Sequence, residues 1–247
     1  MKAFLIAFAA IVAATLIAIA AVSYGRAAQG SRPVHEARAL AGFHAIDVAG
    51  HATLTLVQGA TEGVSIDAPA STRVRTDVQD GKLEIEIDDR RHAWQWLPGP
   101  ASGRAAHITV NLRELSRIET AGAVSIDADA LKGDALSVDL SGACTMQVGD
   151  LQVTTLKLDG SGATKVDLAG KVVRQSVDLS GAGVYEAGKL ASEQAVVEVS
   201  GAGKATVNAR DSLAVDISGA GKVDYYGDPK LKQTISGIGK VTRREAP

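Results

Sequence analysis

One phrase, repeated at nearly constant spacing, constrains this chain more than anything else in it. Seven segments follow one another in the C-terminal half: ETAGAVSID from Glu119, DLSGACTMQ from Asp139, DGSGATKVD from Asp159, DLSGAGVYE from Asp178, EVSGAGKAT from Glu198, DISGAGKVD from Asp216 and TISGIGKVT from Thr234. Their marker glycines are Gly122, Gly142, Gly162, Gly181, Gly201, Gly219 and Gly237, at intervals of 20, 20, 19, 20, 18 and 18 residues. At ~3.3 Å per extended residue, such a unit holds two or three short strands with corners between them. A unit of that kind cannot bury its own apolar face, so copies must stack. The period therefore predicts an all-β solenoid, a parallel β-helix with 18–20-residue rungs. It should be right-handed, because parallel crossovers almost always are. An echo at Asp47-Val48-Ala49-Gly50 lies 72 residues before Gly122, or four units of 18, and predicts the same winding through the N-terminal half.

Side-chain alternation supports this fold. Val138 and Leu140, Leu156 and Leu158, Val177 and Leu179, Val197 and Val199, and Val215 and Ile217 share one phase and should point inward. After the glycines the inward phase resumes at Met146 and Val148, Val166 and Leu168, Ala205 and Val207, and Val223 and Tyr225. Earlier alternating runs at 46–48, 53–57, 82–87 and 107–112 read as further strands. Aromatics are only 4% of the chain, which suits a narrow core filled by aliphatics. The single cysteine, Cys144, has no partner for an internal disulfide and reads as a small buried hydrophobe. A net charge of −2 with no basic stripe points away from nucleic acid.

The N-terminus differs in kind. Met1 and Lys2 precede an uncharged run from Ala3 to Val22, the pattern of an export signal. At ~1.5 Å per helical residue the run reaches ~30 Å, so an uncleaved inner-membrane anchor is the alternative. Residues 1–23 are assigned to this signal or anchor helix, 24–41 to a linker, 42–243 to the β domain and 244–247 to a tail. The bulk of the protein should then lie outside the cytoplasm, in the periplasm or cell envelope.

Stacked rungs turn repeated residues into ladders. Three residues before each marker stand Glu119, Asp139, Asp159, Asp178, Glu198 and Asp216. Three residues after it stand, among others, Lys165, Lys204, Lys222 and Lys240. Like charges ~5 Å apart repel by about 1 kcal/mol in water, so the acidic face should be offset by these lysines, a cation or a partner. A serine column, Ser141, Ser161, Ser180, Ser200, Ser218 and Ser236, runs alongside. These hydroxyls read chiefly as turn-stabilising groups. They are not nucleophiles, since the phrase recurs with no histidine column beside it. One stretch, 88–105, breaks the rhythm and reads as an inserted loop. It carries both tryptophans, Trp94 and Trp96, and the basic pair Arg90 and Arg91. Insertions in solenoids emerge on one face, often the binding face, and an exposed Trp-x-Trp can stack on sugar rings or anchor a partner. No catalytic residue, metal site or cofactor is indicated.

The order of these elements carries a resemblance. Phe43-His44-Ala45-Ile46-Asp47-Val48-Ala49-Gly50, then Leu56-Val57-Gln58-Gly59, Leu83-Glu84-Ile85, Ile108-Thr109-Val110, Leu115-Ser116-Arg117-Ile118 and the serial Ser-Gly-Ala-Gly units resemble the bacterial auto-transporter adhesin head GIN domain family over residues 42–243. The resemblance implies an exported, β-helix-like domain and no catalytic residues. This sequence shows no heptad stalk and no run of membrane-barrel strands. The expected function is a non-catalytic envelope binding or adhesion-like module for a glycan or protein. A self-associating structural β-helix, forming homo-oligomers, is the alternative, and a polysaccharide-active enzyme is a weaker one.

Overall fold

The computed structural model describes residues 34–89 and 105–245. The N-terminal segment 1–33, with the expected signal or anchor helix, lies outside the described residues. So do Arg90, Arg91, Trp94 and Trp96. No helix among the described residues is long and apolar enough to cross a membrane.

The described chain is all-β. Its strands are β1 (Val34–Arg38), β2 (Ala45–Gln58), β3 (Gly63–Ala68), β4 (Thr72–Gln79), β5 (Lys82–Asp89), β6 (Ala106–Leu112), β7 (Arg117–Lys132), β8 (Ala135–Leu179), β9 (Ala182–Val199), β10 (Lys204–Ile217), β11 (Lys222–Tyr226), β12 (Lys230–Ile235) and β13 (Lys240–Arg243). They join in one mixed sheet. From β7 onward the pairing is parallel, and the register follows the repeat. Glu119 lies beside Asp139, Asp178 beside Glu198, Glu198 beside Asp216 and Asp216 beside Thr234. The 45 residues of β8 would span ~150 Å if straight. Instead the strand winds back on itself, so that Ser141 and Ser161 hydroxyls lie 3.5 Å apart.

The marker glycines make that winding possible. A Cβ on Gly142 would collide with the carbonyl oxygen of Gly122, one on Gly162 with that of Gly142, and so on through Gly237. Backbone packs directly on backbone at this corner, leaving no room for any side chain. Gly142 and Gly162 also have φ near +104° and +102°, where L side chains are strained. Inward, the expected apolar columns are buried: Val138, Leu158, Val177, Leu179, Val197, Val199 and Ile217 are at most 1% exposed. Each such side chain contributes about 1.5–3 kcal/mol by leaving water. Cys144 sits among them, 2% exposed, near the Thr120 hydroxyl at 3.3 Å.

The N-terminal half departs from the expected regular winding. Gly50 pairs directly with Gly122, as part of a register running from Ala45–Arg117 to Leu56–Ala128. The 72-residue interval is therefore one step between adjacent rungs with an excursion inside it, not four turns. The excursion adds antiparallel strands to this end of the stack. β5 and β6 pair in parallel with β2, while β3 runs antiparallel to β6, β4 to β5 and β1 to β3. Antiparallel hairpins need no crossover, and so the sheet is mixed rather than uniformly parallel. β1 also lies inside the segment read as linker. Its side chains are mostly exposed, so it carries no strong apolar alternation, and its order comes from pairing with β3.

Candidate binding face

The register explains where the inserted loop leaves the stack. β2 residues Ala45–Ala49 pair with Lys82–Glu86, and Ala52–Gln58 pair with Ala106–Leu112. Between these two blocks β2 turns its corner through Gly50 and His51, whereas the neighbouring rung carries the 88–105 insertion. A Cβ on Gly50 would meet Ile87, the last core residue before the insertion. Both ends of the loop thus depart from the same corner edge along which the Ser-Gly units stack.

On the limb leading into that corner, the register sets acidic residues of successive rungs side by side. Asp139, Asp159 and Asp178, with Ser141, Ser161 and Ser180, line a shallow groove of about 160 Å³. The Ser161 hydroxyl bonds the Leu140 carbonyl at 3.5 Å, in keeping with a role in holding the corner. Charge compensation takes another route from the one expected. Lys82 reaches Asp47 at 3.1 Å, Glu84 at 3.4 Å and Glu119 at 3.9 Å. Arg117 bridges Glu119 and Asp139 at 3.2 and 3.3 Å, and Lys157 holds Asp159 at 2.7 Å. The hydrogen bonds from Lys82 and Lys157 to these carboxylates raise both lysine pKa values. Arg117 and Lys157 stand two residues before an acid, on the same strand face. That i, i+2 pairing is the sequence signal for these cations, which stand outside the larger lysine column. Asp178, Glu198 and Asp216 make no ion pair among the described residues.

The lysine column lies across the corner, on the other limb. There Lys165, Val184, Lys204, Lys222 and Lys240 are register neighbours. Lys204 pairs with Glu186 at 2.6 Å, and Lys222 with Asp224 at 2.8 Å. These lysines serve a second acidic column rather than the Asp139–Asp216 ladder. Arg244 adds a bond to Asp224 at 3.2 Å. A cleft of about 600 Å³ opens here, lined by Glu186, Lys204, Thr206, Asp224, Tyr226 and Arg244 with its neighbours.

Asp224 is the buried charge of this limb, its side chain only 6% exposed. Burial pushes its pKa up, but hydrogen bonds from Lys222 and Arg244 outweigh that and hold it below the ordinary value. A depressed carboxylate stabilises the fold above about pH 4, and this contribution is lost as pH falls through its folded-state value. Asp224→Asn should therefore lower the melting temperature at pH 7 and narrow the gap between pH 7 and pH 3. Thermal unfolding at the two pH values checks this; an unchanged gap would remove Asp224 from the acid sensitivity.

The family model described as "Putative auto-transporter adhesin, head GIN domain" matches residues 42–229. The chain belongs to this family. Crystal structures similar to this head GIN chain include a "putative adhesin" from Bacteroides fragilis, with a TM-score of 0.75 at 21% identity, covering 86% of this chain and 96% of that one. A "putative adhesin" from Parabacteroides merdae has a TM-score of 0.64 at 19% identity, covering 86% and 96%. A "putative lipid binding protein" from Parabacteroides distasonis has a TM-score of 0.65 at 18% identity, covering 86% and 97%. At these identities the likeness is one of fold. No curated protein matches the chain.

Proposed function

We propose that this head GIN protein is a non-catalytic, exported binding module of the cell envelope that holds a glycan or protein along its corner edge. The observation that carries this reading is the shared edge: the 88–105 insertion departs from the corner where the Ser-Gly column and the acidic ladder stack. Asp178, Glu198 and Asp216, lacking ion pairs of their own among the described residues, would accept hydrogen bonds from such a ligand. Trp94, Trp96, Arg90 and Arg91 would supply stacking surface and cations. The family description and the adhesin names of two similar structures support an adhesion-like role outside the cytoplasm. In this reading the parallel part of the sheet winds right-handed, and residues 1–23 direct export, either cleaved or as an anchor.

Trp94 and Trp96 are the only tryptophans, so intrinsic fluorescence reports on the loop alone. Titration of the full chain with envelope polysaccharides should shift and shield the emission. Asp178→Ala combined with Glu198→Ala should weaken that response several-fold. Emission indifferent to every polysaccharide and to envelope protein extracts would overturn the corner edge as a ligand surface.

A further inference from the structure

The two ends of the stack are built differently. The N-terminal end carries the antiparallel strands β1, β3 and β4, of which β1 and β4 have one neighbour each among the described residues. At the C-terminal end, β12 pairs with β10 and β13 with β11, and neither has a second neighbour among the described residues. Leu231 and Ile235 occupy the inward columns of Leu213 and Ile217. Those two are 1% and 0% exposed, whereas Leu231 and Ile235 are 39% and 40% exposed and Ile238, at the last corner, 87%. Two apolar columns of the core thus end in half-open side chains on a strand with one neighbour among the described residues, whereas the Val215 column ends on Gln233. This rung lies past the family-matched residues 42–229.

The outward positions of that rung are cationic. Lys230 and Lys232 alternate with Leu231 and Gln233 along β12, and Lys240 begins β13. None of the three lysines has an ion-pair partner among the described residues. Arg243 and Arg244, next to them, are engaged with Asp228 and Asp224. Lysines on an edge strand oppose pairing with a like copy, because two such edges bring like charges together. They favour a strand of opposite charge. Protection alone does not account for three large aliphatic side chains left open on the same rung.

We infer that β12 is a docking edge for an extended segment of another polypeptide whose residues alternate apolar and acidic. Such a strand adds to the sheet by main-chain hydrogen bonds. Its apolar residues cover Leu231 and Ile235, and its carboxylates meet Lys230 and Lys232. The site is separate from the corner edge, so either can fail alone.

The test uses the full chain and three labelled octapeptides: (Glu-Val)4, (Lys-Val)4 and (Glu-Val)4 N-methylated at alternate residues. Fluorescence anisotropy should show saturable, salt-sensitive binding of (Glu-Val)4 only. The surface double variant Lys230→Glu/Lys232→Glu should weaken it at least about tenfold. Equal binding of (Lys-Val)4, indifference to the double reversal or full binding of the N-methylated peptide would each overturn the inference. So would sedimentation of the full chain as a dimer dissolved by Ile235→Lys, which would assign the edge to a second copy.

Discussion

Gly142→Ala is expected to destabilise the protein by about 3 kcal/mol or more, enough to leave much of the chain unfolded or aggregated on expression. Two penalties combine. The added methyl runs into the Gly122 carbonyl of the neighbouring rung, and the residue must hold φ near +104°. The carbonyl cannot retreat, because Gly122 itself packs on Gly50 in the same manner. The strain therefore passes along the stack instead of relaxing locally. Gly59→Ala is the matched control. Its Cβ would meet nothing within 4 Å, and the change should stay within about 0.5 kcal/mol. Urea denaturation of both variants decides the matter. Equal midpoints would mean that the corner is more plastic than the backbone-on-backbone packing implies.

Tyr185→Ala should cost about 3–5 kcal/mol. Tyr185 heads the largest fully buried side chains and is 0% exposed. Its ring fits because the next rung presents Ala205 in register. It also anchors an interior polar chain. The phenol donates to Gln175 Oε1 at 2.8 Å, Gln175 Nε2 to Ser192 Oγ at 2.8 Å, and Ser192 Oγ to the Asn208 carbonyl at 2.6 Å. Burial pushes the phenol pKa far up, so Tyr185 stays a neutral donor throughout the usual range. Tyr185→Phe keeps the volume but orphans the Gln175 oxygen, and should cost about 1–3 kcal/mol. The difference between the two variants isolates packing from hydrogen bonding. If Tyr185→Phe proves neutral while Tyr185→Ala does not, the polar chain contributes no net stability and only the ring's volume matters.

Neither Tyr185 nor Gln175 stood out in the sequence. Tyr185 sits in the inward phase of its repeat, where its neighbours are aliphatic, and nothing local reveals that a glutamine ten residues earlier turns inward to meet it. That meeting depends on how the rung bends, which a period cannot specify. The cations of the acidic ladder are similarly hidden: Arg117 and Lys157 occur on two of seven repeats, so they lack the repetition that marks Lys204 and Lys222.

What the sequence determined by itself was the stacked C-terminal part. Period, apolar phase and the Ser-Gly corner all repeat, and residues one rung apart must fall into register once the corners align. The marker glycines made that alignment legible because only glycine survives where one corner backbone rests on the next. Tertiary structure alone decided the rest. Gly50 and Gly122 are 72 residues apart, and a period near 18 divides that interval as naturally as direct stacking does; only pairing between distant strands chooses. The same holds for the antiparallel N-terminal end, the corner from which the insertion leaves and the edge at β12. Each is set by which strand lacks a neighbour, a property of the whole sheet that no single segment carries.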